Sequence, residues 1–160
     1  MKMMKRLLLV VCLMLCLVMT GCGGKKNGLD VNAMTCAEIA QLAQDAADFM
    51  ELTDVNASYL DKYLWIDEAD LDDWAMRRDA TRATPEMILV LKVKEGADMA
   101  AIKQAVQDYH DEQILTYRDY QPAQMPKLES AKVMVNGRCI VLVVSPDAAK
   151  VNEALGGGWN

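Results

Sequence analysis

Met87-Ile88-Leu89-Val90-Leu91-Lys92-Val93 is the clearest strand in the sequence. Every residue in it except Lys92 is apolar, and its branched side chains suit a pleated surface that is largely buried. The stretch from Thr81 to Pro85 breaks the chain before it, and Gly96 ends it. We therefore predict one strand here, against which the neighbouring elements pack.

Three more strands are predicted around it. One covers about residues 71–78 and contains Trp74 and Met76. The other two cover about 130–135 and 138–144, and Asn136-Gly137 between them is the strongest short signal for a hairpin.

Helices are predicted before, between and after these strand pairs. Thr35 and Glu38 form a capping box for a helix over about 36–50, and the longest helix runs from about 97 to 118. Ser145 as N-cap and Pro146 as first helical residue predict a last helix over about 146–155.

The order helix, strand, strand, helix, strand, strand, helix predicts an α+β fold. We expect a single domain over residues 35–155, with an antiparallel four-stranded sheet and the helices packed on one face. Residues 156–160 are rich in glycine and are predicted to be a disordered tail.

The N-terminus has the pattern of a secretory signal. Lys2, Lys5 and Arg6 precede the uncharged run from Leu7 to Thr20, whose 14 residues are too few to span a bilayer as a helix. We therefore predict that residues 1–21 are a signal peptide.

The end of this segment, Val18-Met19-Thr20-Gly21-Cys22, resembles the lipobox of bacterial lipoproteins. The resemblance implies cleavage between Gly21 and Cys22 and a diacylglyceryl group on the Cys22 thiol. Residues 22–34 would then be a lipidated, flexible tether. The expected location is the outer face of the cytoplasmic membrane, with membrane lipid as a partner through Cys22.

The charge of the chain argues against a polyanionic partner. Loss of the three basic signal residues changes the formal net charge from −6 to −9. Such a chain is repelled by nucleic acid, so no nucleic-acid partner is expected.

Cys36 and Cys139 are the cysteines left outside the signal and the lipidation site. An exported pair could form one disulfide, but a domain of this size does not need one. We predict free thiols. Cys36 could also be reactive, since the first turn of a helix favours a thiolate.

Acidic residues are dense between positions 67 and 73. Asp67, Asp70 and Asp72 are weak calcium candidates, but the glycine and the distant glutamate of an EF-hand loop are missing, and a solvated acidic turn is the commoner explanation. No metal or cofactor is predicted. No catalytic residue is predicted either, and the single histidine, His110, is expected to be solvated on the long helix.

The chain resembles the DUF4358 family, whose members are lipoproteins of Gram-positive bacteria, mostly clostridial. The resemblance covers about residues 36–155 and rests on Cys22, Pro85-Glu86-Met87-Ile88, Tyr120-Gln121-Pro122, Asn136-Gly137-Arg138 and Ile140-Val141-Leu142-Val143-Val144-Ser145. It implies a location and domain limits, and it brings no activity.

These observations favour a non-catalytic binding or accessory module of the cell envelope, with an unidentified envelope protein or ligand as its partner. The alternative is an envelope enzyme, similar to a glycoside hydrolase, that uses paired carboxylates.

Overall fold

The computed structural model of the protein describes residues 29–160. The predicted signal peptide, the cleavage site at Gly21 and Cys22, and residues 22–28 of the predicted tether lie outside the described residues. Residues 29–34, the rest of that tether, instead pack on the domain, since Val31 is 1% exposed and the Lys92 ammonium donates to the Asn32 carbonyl at 3.0 Å.

The core of the domain is a five-stranded antiparallel sheet with the strand order β1-β2-β3-β5-β4. Its strands are β1 (Leu52–Asp54), β2 (Leu71–Asp79), β3 (Met87–Val93), β4 (Met134–Asn136) and β5 (Cys139–Val144). The predicted strand over 87–93 is confirmed with the same bounds, and it is the central strand of the sheet.

Four α-helices between residues 29 and 160 accompany the sheet. They are α1 (Cys36–Asp45), α2 (Met99–Tyr120), α3 (Met125–Ser130) and α4 (Ala148–Leu155). The capping box at the start of α1 is confirmed, because the Thr35 side chain accepts from the Glu38 amide while the Glu38 carboxylate accepts from the Thr35 amide. A π-helical turn (Leu60–Leu64) and a 3₁₀ turn (Glu68–Asp70) join β1 to β2. The α+β class is confirmed.

The prediction that all helices pack on one face of the sheet is wrong. Met87, Leu89 and Leu91 of β3 pack in one core cluster with residues of α2 and α3. Ile88 and Val90 pack in a second cluster with residues of α1 and α4. The sheet therefore lies between two helical layers, which explains why β3 and β5 are apolar at consecutive positions instead of alternating.

The predicted number and order of elements also need correction. β1 is a fifth strand, and the helix α3 precedes β4, so the order is α-β-β-β-α-α-β-β-α. Three residues, Leu52-Thr53-Asp54, are too few to show a period. Pro126 lies in the first turn of α3, where a proline is tolerated.

The β4–β5 hairpin is shifted by one residue from the prediction. Asn136 pairs with Cys139, so the loop is Gly137-Arg138. Gly137 has a φ of 59°, and a Cβ built there would lie 2.8 Å from Oδ1 of Asn32. Glycine is therefore needed both for the turn and for the close approach of the N-terminal segment.

The last residues of the chain are ordered against the sheet, where a disordered tail over 156–160 was expected. Asn160 and Val135 exchange two backbone hydrogen bonds of 2.9 and 3.1 Å, and the Trp159 indole donates to the Leu155 carbonyl. The tail thus covers the free edge of β4. The N-cap of α4 is Asp147 instead of Ser145, whose buried hydroxyl has no partner in the described part of the chain.

A buried carboxylate joins α3 to the sheet. Glu86, 3% exposed, accepts from the Lys127 ammonium at 2.7 Å and from the Met50 amide at 2.6 Å. Lys127 lies on α3, so this pair fixes the short helix to the start of β3.

Candidate functional site

Trp65 is the most unusual residue of the surface. It follows the π-helical turn in which Leu60 and Leu64 are buried, and both its own amide and that of Ile66 donate to the Leu60 carbonyl. This turn leaves Trp65 at φ 56° and ψ 34°, a left-handed conformation that costs a non-glycine residue about 1–2 kcal/mol. Its side chain is nevertheless 85% exposed. The fold thus holds a large aromatic ring in solvent at a strained position.

One side of Trp65 borders a hollow of about 440 Å³ between the π-helical turn and α2. Tyr63 and Trp65 form one wall, and Gln104, Asp108 and Glu112 of α2 lie on the other. These α2 residues are four apart, so they project from the same side of the helix. The volume is within the range of sites that hold small ligands or single side chains of a partner.

The other side of Trp65 borders a smaller hollow of about 120 Å³. Its wall includes the carboxylates of Asp67, Asp70 and Asp98. Ala101 and Ala105 of α2 line both hollows, so they form a continuous floor beneath Trp65. We call the two hollows together the Trp65 groove.

The charged residues that line the Trp65 groove are all acidic, and the nearby Lys62 ammonium lies 5.1 Å from the centre of the Tyr63 ring at its wall. Five carboxylates line it and no lysine or arginine does: Asp67, Asp70, Asp98, Asp108 and Glu112. Two of them are fixed by backbone amides, since Asp67 accepts from Ala69 and Asp98 accepts from Ala101. An exposed indole ring surrounded by carboxylates attracts cations through the π system and through charge.

A cluster of tyrosines supports the wall of the groove from behind. The Tyr59 and Tyr63 rings lie 4.3 Å apart, and the Tyr59 and Tyr109 rings form an edge-to-face pair at 6.4 Å. The hydroxyls of Tyr59 and Tyr109 are 3.0 Å apart. Burial, together with the Tyr59 hydroxyl, raises the pKa of Tyr109, so its phenol stays neutral.

The three calcium candidates do not share one site. Asp67 and Asp70 lie in the Trp65 groove, whereas the Asp72 carboxylate accepts from Arg138 at 2.6 Å. Within residues 29–160, no group of three His, Cys, Asp or Glu side chains is arranged to hold a metal ion.

Cys36 and Cys139 lie in the same buried cluster as the residues of α1 and α4, and both are free thiols. Burial raises the pKa of Cys36, and the nearby Asp73 carboxylate raises it further. Burial also raises the pKa of Cys139, to about 11. The structure does not support the possibility of a reactive Cys36, because the Asp73 carboxylate accepts a hydrogen bond from the Cys36 amide at 2.6 Å and disfavours a thiolate beside it.

His110 is buried, where a solvated histidine was expected. It is 4% exposed, and its Nε2 donates to the Leu128 carbonyl at 3.0 Å. It thus joins α2 to α3.

Sequence reasoning missed Tyr63 and Trp65 as site residues. They lie in a stretch whose apolar residues have no helical or strand period, so the pattern predicted no exposed face. The available signal is an aromatic residue, Trp65, placed two residues before the acidic run that begins at Asp67.

Comparison with known proteins identifies a family. The family model described as "Domain of unknown function (DUF4358)" matches residues 45–145, which is more than half of the chain. No curated protein and no solved structure matches the chain. None of the helices between residues 29 and 160 has the length and apolar character needed to cross a membrane.

Proposed function

This chain belongs to the DUF4358 family, and on that premise we propose that it is a lipid-anchored, extracytoplasmic binding module. Its Trp65 groove would dock a basic segment of another cell-envelope protein. No chemical step is required of the site.

The observation that carries the proposal is the exposed, strained Trp65 between two hollows lined by carboxylates. A strained backbone position persists only where the surrounding structure enforces it, and such positions cluster at functional sites. Tryptophan and tyrosine are also the residues that most often dominate binding energy at protein interfaces. An exposed Trp65 beside a half-exposed Tyr63 therefore supports a docking role.

Charge supports a basic partner. The five carboxylates of the groove belong to a chain whose formal net charge is −6, or −9 without the signal. A lysine or arginine over an indole ring contributes about 0.5–2 kcal/mol, depending on how far it is desolvated. The carboxylates at the rim would mainly accelerate association and reject acidic partners.

The lipobox-like stretch that ends at Cys22 supports the location. A flexible tether over the six residues 23–28 would have a typical reach of roughly 13 Å, so the domain would stay close to the membrane surface. That distance suits a partner which is itself embedded in, or bound to, the membrane.

Lipid labelling tests the location. The Cys22→Ala variant should remain unlipidated and largely uncleaved in the producing cell. Cys16→Ala, which changes a cysteine inside the predicted signal, is the matched control and should be labelled and processed normally. Normal lipid labelling of Cys22→Ala would contradict the anchor.

Peptide titration tests the docking site. We expect the full chain to bind a lysine- and arginine-rich peptide in preference to an acidic peptide of the same length, as measured by calorimetry. Trp65→Ala should weaken this binding by about 10-fold, since a central aromatic anchor contributes 1–2 kcal/mol or more.

Tyr120→Ala is the control for exposed aromatic area, because Tyr120 is 76% exposed and does not line the groove. Equal loss of binding in Tyr120→Ala and Trp65→Ala would show that the peptide adheres to aromatic surface in general, and would contradict the proposal.

A second candidate is an envelope enzyme that uses carboxylates. Its support is that Asp67, Asp70 and Asp98 share one hollow. Asp67 already caps the 3₁₀ turn and Asp98 already caps α2. The hollow of about 120 Å³ is also smaller than most substrate sites. Hydrolysis of a cell-wall glycan by the full chain, lost in Asp70→Asn, would favour this candidate over the binding module.

A further inference from the structure

A third hollow, of about 230 Å³, lies at the β1 edge of the sheet and is separate from the Trp65 groove. Residues from β1, the loop after it, the end of β2 and the following turn line it, among them Thr53, Asn56, Tyr59, Arg78 and Arg82. We call it the arginine pocket. Thr53 and Arg78 are directly paired across β1 and β2, so their side chains project from the same face.

Arg77 and Arg78 are adjacent on β2 and therefore point to opposite faces of the sheet. Arg77 donates to Asp54 at 3.1 Å and to the side-chain oxygens of Gln41 and Gln44 at 2.9 and 2.8 Å. Arg78 donates through Nη1 to the Tyr59 hydroxyl at 2.6 Å, beneath the Tyr59 ring. Across residues 29–160, no carboxylate lies within ion-pair distance of the Arg78 guanidinium.

Two carboxylates, Asp54 and Asp79, also line the arginine pocket, and each is held by other groups. Asp54 pairs with Arg77, as described above. Asp79 is 1% exposed, and it accepts four hydrogen bonds of 2.7 to 2.9 Å from the amides and hydroxyls of Thr81 and Thr84. Within residues 29–160, neither carboxylate forms an ion pair with Arg78.

The hydrogen bonds of Asp79 also shape the turn that carries Arg82. Arg82 has a φ of 59°, and only Trp65 and Arg82 among the non-glycine residues of the described chain have a positive φ. Its side chain is exposed, and it makes no ion pair with any described carboxylate. A strained turn thus places a second unneutralised guanidinium at the same pocket as Arg78.

We propose that the arginine pocket binds a phosphoryl group. Guanidinium groups offer paired, coplanar donors that match the oxygens of phosphate. Asn56 can add a donor, because its Oδ1 already accepts from Ser58 and its amide nitrogen is left to donate. Since the donors come from three segments of the chain, a tetrahedral oxyanion uses more of them than a planar carboxylate does. The volume suits one such group on a larger, solvent-exposed molecule.

The direct test is a calorimetric titration of the full chain with inorganic phosphate and with glycerol phosphate, at constant ionic strength, with acetate as the carboxylate probe. We expect both phosphates to bind, and acetate to bind at least about 10-fold more weakly. Arg78→Lys keeps the positive charge but removes the paired, coplanar donors of the guanidinium, so it should weaken phosphate binding by about 10-fold. If acetate binds as tightly as phosphate, the phosphoryl assignment is overturned.

Two further variants separate binding from folding. Arg77→Lys changes the neighbouring arginine on the opposite face and should leave phosphate affinity unchanged within about twofold. Arg82→Gly removes a guanidinium and relieves a left-handed backbone, so it should weaken phosphate binding several-fold without lowering the melting temperature. If none of the three variants alters phosphate binding, the proposal is overturned. It is also overturned if Arg77→Lys weakens phosphate binding as much as Arg78→Lys, since that would show a general effect of charge.

Discussion

The two faces of the sheet are built for different purposes. On the face covered by α1 and α4, the apolar core side chains are small to medium in size and almost fully buried, and the charged side chains of Asp73, Arg77 and Lys92 lie partly exposed around them. On the face covered by α2 and α3, the core is interrupted by tyrosines, a histidine and charged side chains, and it opens at the Trp65 groove and the arginine pocket. We call them the sealed face and the open face.

If the Trp65 groove and the arginine pocket bind as proposed, this difference means that stability and binding depend largely on opposite faces of the sheet. Trp65 and Arg82, the two non-glycine residues with positive φ in the part of the chain that the structure describes, both border hollows that open on the α2 side of the sheet. Strain is therefore concentrated where exposed side chains are presented, and the sealed face supplies the stability that offsets it. The following predictions test this division in order of the expected change in stability.

Ile39→Ala should have the largest effect. Ile39 lies on α1, is fully buried and packs in the sealed-face cluster, so its truncation removes apolar contacts and leaves a cavity. We expect a loss of about 4 kcal/mol in the free energy of unfolding, measured by urea denaturation. Binding to a basic peptide under conditions where the variant is folded should be unchanged. A loss below about 1 kcal/mol would contradict the claim that the sealed face supplies most of the stability.

The thiols give a second measurement of the same face. Cys36 and Cys139 should resist alkylation in the native wild-type chain and react faster in Ile39→Ala. After denaturation without reduction, intact-mass analysis should show two added alkyl groups beyond any at an unlipidated Cys22. A chain that gains none has a disulfide, and the prediction of free thiols would then be wrong.

Lys127→Ala should have the next largest effect on stability, and it tests the open face. It leaves the buried Glu86 carboxylate with the Met50 amide but without its counter-ion. We expect the free energy of unfolding to fall by about 3 kcal/mol. This is near the low end for a broken buried ion pair, because Lys127 is partly exposed. Lys132→Ala, an exposed lysine just after α3, is the control and should change stability by less than about 0.5 kcal/mol. Equal effects of the two variants would show that the pair does not anchor α3.

The sequence predicted the centre of this fold better than its arrangement. β3, the α1 capping box and the long helix follow from local patterns, which the structure preserves. The second helical layer was not predicted, although the uninterrupted apolar runs of β3 and β5 already indicate a sheet covered on both faces. β1 and α3 are too short to carry a period, and they are placed by tertiary contacts such as the Glu86–Lys127 pair.

The candidate sites were harder to predict than the fold. The Trp65 groove and the arginine pocket each depend on side chains brought together from distant segments, such as Tyr59 with Arg78 and Trp65 with α2. Periodicity reports which residues are buried, and it carries no signal for an exposed residue held at a strained backbone position. The acidic run was visible in the sequence. Only the structure shows that Asp67 and Asp70 lie in the groove while Asp72 pairs with Arg138.

Asp79 should make stability depend on pH at the edge of the open face. Burial raises the pKa of its carboxyl, but the hydrogen bonds from Thr81 and Thr84 outweigh burial and lower the pKa from 3.8 to about 2. The unfolded chain therefore binds this proton more readily, so the contribution is fully present above about pH 4 and is lost as the pH falls through 2. Its size is about 2 kcal/mol. Unfolding followed from pH 5 to 2 should show a flatter profile in Asp79→Asn than in Asp54→Asn, an exposed control. Identical profiles in the two variants would contradict the role given to Asp79.

Trp65→Gly should have the smallest effect on stability and therefore tests the comparison most sharply. Glycine relieves the left-handed conformation, which favours folding by about 1 kcal/mol, but it also adds freedom to the unfolded chain, which costs about the same. The ring is 85% exposed, so its removal deletes little buried area. We expect the free energy of unfolding to stay within about 0.5 kcal/mol of wild type while the affinity for a basic peptide falls about 10-fold. If Trp65→Gly instead lost as much stability as Ile39→Ala, the ring would be a structural element, and the division between a stabilising face and a binding face would fail.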